Sequence, residues 1–268
     1  MNRFRTIEVS DPPHESANLR YITVKTPNLV GRGDISVFVP KQASEAPGPL
    51  PIVTLLHGVY GSHWVWSQKA GVHLTAQRMI DAGALPPMLI AMPSDGLMFD
   101  GSAYLPHNDR DFAAWIVEDV PDALIAAGLP TDAEAPRFIA GLSMGGYGAL
   151  RLGAAFPDRF AAFAGHSSIT DFDQLPTFIE EPAAAYGPAS TERSVFETMR
   201  ANRSALRPFR FDCGVDDPLI EHNRTLHRAL TTAGIDHVYE EHPGGHEWPY
   251  WTRHIVTTLT FFAEHLPS

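Results

Sequence analysis

The sequence predicts an α/β fold, a mostly parallel central sheet with helices on both faces. Short apolar runs without polar alternation recur along the chain, as strands buried on both faces require. Stretches with helical apolar spacing separate them, the pattern of a sheet covered on each side. At 268 residues the chain is long enough for one well-packed core. No repeat, low-complexity segment or long linker divides it, so one domain over residues 1–268 is expected.

Taken in order, Tyr21 to Thr26 and Asp34 to Val39 alternate apolar and polar residues, as a half-exposed antiparallel pair does. Lys41 to Pro51, rich in Pro, Ala and Gly, reads as a surface loop. Pro51 to Leu56 is a buried strand stopped by His57-Gly58, and Leu74 to Ala82 has helical spacing. Met88 to Met92 is the next buried run. Asp111 to Ala127 carries Phe112, Trp115, Ile116, Val120 and Leu124 at helical intervals. Pro121 has no N–H to give the preceding turn, so a kink or a second helix start is expected there. Arg137 to Ala140 is a strand leading into Gly141, and Gly145 to Phe156 is a helix ended near Pro157. Phe160 to Gly165, Phe209 to Cys213 and His237 to Glu241 follow as strands, Leu219 to Ala233 and Tyr250 to His265 as helices. Between about 170 and 208 the periodicity weakens. A short helical excursion over the sheet edge is expected, either lining an acyl pocket or forming ordinary surface.

The formal net charge of −11 disfavours nucleic acid and anionic membranes as partners, because both select basic patches. No apolar run approaches the roughly 18 residues of a membrane span. No apolar h-region follows Met1 to Asp11, so a cytoplasmic location is the expectation. The one cysteine, Cys213, cannot form an internal disulfide, and its apolar run suggests a buried thiol.

Gly141-Leu142-Ser143-Met144-Gly145 matches G-x-S-x-G. In that pattern a sharp strand-to-helix turn pushes the serine oxygen out above the sheet, and the glycines let strand and helix approach. An apolar strand precedes it and an Ala/Leu-rich helix follows, so Ser143 is the candidate nucleophile. The expected chain order is Ser, acid, His. Asp216 and Asp217 lie on the loop after the Phe209 strand; Gly-x-x-Asp-Pro spacing favours Asp217, with Asp216 the alternative and helix capping a further role for either. Three histidines follow the acid. His237 starts a strand and His242 ends it, whereas His246 falls in the glycine-rich loop Pro243 to Trp248, from which it can reach across to the serine. Among 13 histidines, that position and order select His246 as base. An oxyanion needs two donors. The backbone N–H of Met144 is one; the turn after PIVTLL offers Val59, with Tyr60 second. His57 reads as a structural turn residue. Trp64, Trp66, Phe99, Tyr104, His107 and Trp248 are expected to shape a pocket or pack the core; Tyr60, Trp64 and Trp248 are the candidate substrate contacts. Pro93 to Gly96 offers another wall. No zinc spacing, phosphate loop or dinucleotide fingerprint occurs, so no metal and no cofactor are expected.

LLHGVYGSHWVW, GLSMGGYGALRL, FDCGVDDPLIEHNR and PGGHEWPYW, in this order, resemble the putative esterase family. That family includes esterase D (S-formylglutathione hydrolase), tributyrin esterases, feruloyl esterase modules and the antigen 85 mycolyltransferases. The resemblance covers about residues 20 to 265 and is nearest in flavour to the short-chain, intracellular tributyrin-esterase branch. It implies an α/β-hydrolase fold, no metal, and attack on a small carboxylic ester through Ser143, Asp217 and His246, with Val59 and Met144 as oxyanion donors. A homodimer would be unsurprising for the family. The expected function is a serine carboxylesterase working through an acyl-enzyme. The alternatives are an acyltransferase of the mycolyltransferase type and a non-catalytic binding protein on the same scaffold.

Overall fold

The computed structural model describes residues 3–95, 100–187 and 191–267. Its strands are β1 (Thr6–Val9), β2 (Leu19–Thr26), β3 (Gly31–Phe38), β4 (Ile52–Leu56), β5 (Leu89–Pro93), β6 (Arg137–Leu142), β7 (Ala162–His166), β8 (Phe209–Gly214) and β9 (Val238–His242). They hydrogen-bond into one sheet in the order β1-β2-β3-β5-β4-β6-β7-β8-β9. Pairing is antiparallel from β1 to β5 and parallel from β5 through β9. The fold is that of an α/β-hydrolase.

The helices are α1 (Val65–Gln68), α2 (Val72–Asp81), α3 (Phe112–Ala114), α4 (Val120–Ala126), α5 (Met144–Ala155), α6 (Val195–Ala201), α7 (Ile220–Thr232) and α8 (Trp248–Glu264). They divide between the two faces of the sheet. Val53 and Leu55 of β4 pack with Val72 and Ala76 of α2 and with Ile255 and Leu259 of α8. Ile52 and Leu56 of the same strand pack with Val120 and Leu124 of α4 and with Leu150 of α5. Alternate side chains still point to opposite faces, but both faces are apolar, so the alternation vanishes from the sequence of these strands.

Elements match their sequence-based bounds within about three residues, with two informative differences. β1 was not expected. It has four residues and is exposed on one side, too short a signal to read. At Pro121 a second helix start is found, one of the two outcomes expected there. A π-helical stretch, Trp115–Asp119, joins α3 to α4, and the Val120 N–H reaches back to the Trp115 carbonyl. That wider turn brings the proline into the first turn of α4, where a missing N–H is tolerated. Among its described residues the 170–208 segment holds short 3₁₀ turns (Phe172–Thr177, Ala183–Ala185, Arg203–Ala205) and α6. Its α6 packs on α5 and α7, through buried Val195 and Met199, rather than over a sheet edge.

Cys213 is a buried free thiol. Among the described residues no helix is long and apolar enough to cross a membrane. A cavity of about 650 Å³ opens at the amino ends of β8 and β9, against Phe209, Ile235 and Phe261. The chemistry-bearing side chains gather at the other end of the sheet, where open α/β sheets bind their ligands.

Candidate active site

The turn between β6 and α5 sets the site. Ser143 sits at φ +55°, ψ −120°, a region that non-glycine residues rarely occupy, so the chain reverses in one residue. Such a conformation costs about 1–3 kcal/mol and persists only where the surroundings over-determine it. Here the Ser143 N–H donates to the His166 carbonyl at 2.9 Å, and its own carbonyl accepts from Tyr147 and Ile169. The flanking glycines are steric necessities. A Cβ at Gly141 would lie 2.2 Å from the Gly145 carbonyl oxygen, and one at Gly145 would lie 2.5 Å from the carbonyl oxygens of Leu56 and His57. All of these neighbours are backbone and cannot swing aside. The motif's spacing therefore also presses the turn after β4 against the serine.

Three loops, after β6, β8 and β9, then bring their side chains together. His246 Nε2 lies 3.0 Å from Ser143 Oγ. His246 Nδ1 lies 2.9 Å from Asp217 Oδ2 and 3.1 Å from Oδ1. Asp217 Oδ1 also accepts the Leu219 N–H at 2.8 Å, which fixes the carboxylate from its other side. With Nδ1–H donating to the carboxylate, Nε2 is left with a lone pair for the serine hydroxyl, an assignment made from the partners. The Asp217 side chain is wholly screened from water and that of His246 is 22% exposed, so an imidazolium–carboxylate pair here would sit in a low-dielectric pocket with one wet side. Asp216 is exposed, and its N–H is bound to the Gly244 carbonyl. His237 is engaged with His227 and His242 stacks on His254, while His246 meets the serine.

The amides of Val59 and Met144 have no acceptor among the described residues, whereas the Tyr60 N–H donates to the Asp100 carbonyl at 2.7 Å. A Cβ at Gly58 would stand 3.2 Å from Ser143 Cβ, so the Val59 turn borders Ser143. The first turn of α5 begins at Met144, aiming the helix's positive end at the same place.

The aromatic candidates separate into two groups. Trp66 and Tyr104 are core residues. The Trp66 indole N–H donates to the Leu56 carbonyl and the Tyr104 hydroxyl to the His57 carbonyl, so both brace the turn after β4 from inside. Ser94, Asp95 and His107 are likewise buried. Tyr60 and Trp64 are exposed, and Trp248 packs edge-on against Trp66 and Trp251. Phe99 and Gly96 lie outside the described residues. Two neighbours of His246 escaped sequence reasoning. Trp251 stands edge-on to His246 at 5.0 Å with its N–H on Ser167 Oγ, and Phe178 lies nearly parallel to the imidazole at 6.5 Å. Trp251 could have been suspected from its place in the first turn of the helix that follows His246. Phe178 sits in an aperiodic segment with no local signal.

Behind the serine lies a buried charge network. Asp212 accepts from Arg210 at 2.8 Å, from Tyr250 at 2.9 Å and from His166 Nδ1 at 3.1 Å. Burial alone would raise this carboxyl, but the His166 and Arg210 charges outweigh it and hold it down at about 2. In α8, burial pushes His254 down to about 4, with His242, His166 and Arg253 acting in the same sense and Asp212 opposing. A histidine depressed in the fold is neutral there while the unfolded chain takes up a proton below about 6.5, so stability falls as pH drops from 6.5 towards 4. The expected loss is on the order of 2 kcal/mol. Urea unfolding of wild type and His254→Leu at pH 7 and pH 4.5 checks this: the variant should lose a correspondingly smaller amount, and an identical pH dependence in both would refute it.

Among the described residues no group of three or more His, Cys, Asp or Glu could hold a metal ion. A sequence model of the family described as "Putative esterase" matches residues 28–262. A relative named acetyl esterase, from Caldicellulosiruptor saccharolyticus, is 25% identical over 234 residues, covering 80% of this chain and 84% of its own. A solved ferulic acid esterase superposes with a TM-score of 0.78 at 24% identity, over 97% of this chain and all of its own. An S-formylglutathione hydrolase from Staphylococcus aureus gives a TM-score of 0.78 at 18% identity, over 96% of this chain and 99% of its own.

Proposed function

Because the chain belongs to this esterase family, and is thereby a serine carboxylic ester hydrolase, we propose that it cleaves small, short-acyl esters through an acyl-enzyme on Ser143. The observation that carries the reading is the unbroken hydrogen-bond chain from Ser143 through His246 to Asp217. Ser143 Oγ attacks the ester carbonyl as His246 Nε2 takes its proton. Asp217 holds the imidazole in the required tautomer and stabilises its cation without taking the proton. The carbonyl oxygen, now an anion, is received by the Val59 and Met144 amides, already oriented before the reaction starts. As the tetrahedral centre collapses, the C–O bond to the alcohol breaks and the alkoxide leaves with the proton from His246. Water repeats the sequence on the acyl-serine and releases the acid.

Tyr60, Trp64 and Trp248 then border the substrate, Trp248 through its packing on Trp251 behind the base. The continuous nine-stranded sheet supports reading residues 1–268 as one catalytic domain. The acetyl esterase among its relatives supports a short acyl group. The test is hydrolysis of p-nitrophenyl esters from acetate to dodecanoate. A rate highest at two to four acyl carbons, as chosen in the assay series, is expected. No hydrolysis at any length would sink the reading, and transfer of the acyl group to an added alcohol in preference to water would replace it with an acyltransferase.

A further inference from the structure

Beside the base, four hydrogen bonds tie three separate segments together. The Tyr60 hydroxyl donates to the Phe178 carbonyl. The Tyr60 N–H donates to the Asp100 carbonyl at 2.7 Å. The Glu180 N–H donates to Asp100 Oδ2 at 2.8 Å, and the Asp100 N–H to Glu181 Oε1 at 3.0 Å. Tyr60 takes a left-handed backbone, φ +60°, to make these contacts, and it follows Val59 directly. The result is a clasp that joins the turn after β4 to the segment carrying Phe178. Around Phe178 the described chain has only short 3₁₀ turns, anchored on either side by buried Leu175 and Tyr186, and the clasp fixes the stretch between them.

What the clasp holds in place is the Phe178 ring, 6.5 Å from the His246 ring and within 15° of parallel to it. The other sides of the imidazole are taken: Asp217 is on Nδ1, Ser143 on Nε2, and Trp251 stands edge-on at 5.0 Å. In acylation the departing alcohol oxygen must receive its proton from Nε2, so it lies about 3 Å from that atom. Its substituent then extends into the space that the base shares with Phe178. Resting on the reading of Ser143 and His246 as nucleophile and base, we propose that Phe178 is a specificity-determining residue for the alcohol half of the ester, favouring planar or apolar alcohols, and that Tyr60 positions it.

The proposal separates the two halves of the substrate. Every acetyl ester passes through the same acetyl-enzyme, so deacylation is blind to the alcohol. Selectivity for the alcohol appears in kcat/KM, which reports acylation. Loss of an aromatic contact is worth about tenfold. Phe178→Ala is expected to lower kcat/KM for phenyl acetate about tenfold more than for ethyl acetate. The ratio of p-nitrophenyl acetate to p-nitrophenyl butyrate, which varies only the acyl group, should shift less than about twofold. Tyr60→Phe keeps the ring and removes the clasp donor, and should erode the same alcohol ratio about threefold, a fraction of the full contact. Phe178→Leu, which keeps apolar bulk, should restore part of the loss. Equal loss on both acetates, or a shift confined to the acyl ratio, would overturn the proposal. Failure of the underlying reading is separable: it would appear as hydrolysis that survives Ser143→Ala, whatever the Phe178 variants do.

Discussion

Ser143→Ala is expected to lower kcat for p-nitrophenyl acetate by about 10⁴- to 10⁶-fold while leaving KM within a few-fold. The size follows from the hydrogen-bond chain: without Oγ the His246 Nε2 has nothing to deprotonate but water, and the Asp217 contact behind it orients an idle base. The Val59 and Met144 amides proposed to receive the oxyanion are untouched, so residual catalysis over bulk water should persist. Alanine must occupy the same left-handed backbone at φ +55°, so no strain is relieved, and stability in urea should change by less than about 1 kcal/mol. Steady-state kinetics, with loss of labelling by a fluorophosphonate, checks both halves. Turnover within tenfold of wild type would remove Ser143 from the mechanism.

Asp217→Asn should cost about 10³- to 10⁴-fold in kcat by a different route. An asparagine oxygen can keep the Leu219 N–H bond, so the loop stays in place. Its amide nitrogen, however, would face His246 Nδ1 as a donor. That favours the tautomer with the proton on Nε2, where a lone pair is needed. Asp216→Asn is the internal control. Asp216 is exposed and holds its place through a backbone bond to Gly244, so its activity should remain within about twofold of wild type. The reverse ranking of the two variants would transfer the orienting role to Asp216.

Those adjacent acids mark where sequence reasoning reaches its limit. The G-x-S-x-G spacing was legible because its glycines answer to backbone atoms only a few residues away or on one neighbouring strand. Asp216 and Asp217 have the same chemistry at neighbouring positions. What separates them is which side chain the loop turns inward, and that depends on the Gly214 and Gly244 carbonyls that accept from the loop's amides. The parallel strands were legible from their apolar runs, because each has a face on two cores. β1 was not, since four half-exposed residues carry little pattern. Trp66 and Tyr104 read equally well as pocket or core; an aromatic residue near a motif does not reveal which side of the backbone it takes. Phe178 was beyond reach, since a tyrosine hydroxyl 118 positions away holds its segment.

The two open edges of the sheet bear on how the protein behaves in concentrated solution. A free strand edge is a template for a neighbouring molecule's strand. Here one edge is the short β1, interrupted by Glu8. The other is β9, whose Glu240 is bound to Arg210 and whose Glu241 is bound to Arg224. An incoming strand would have to desolvate these ion pairs beside each new ladder bond. Aggregation by edge-to-edge growth therefore meets an electrostatic obstacle at both ends of a sheet that stays open rather than rolling into a barrel.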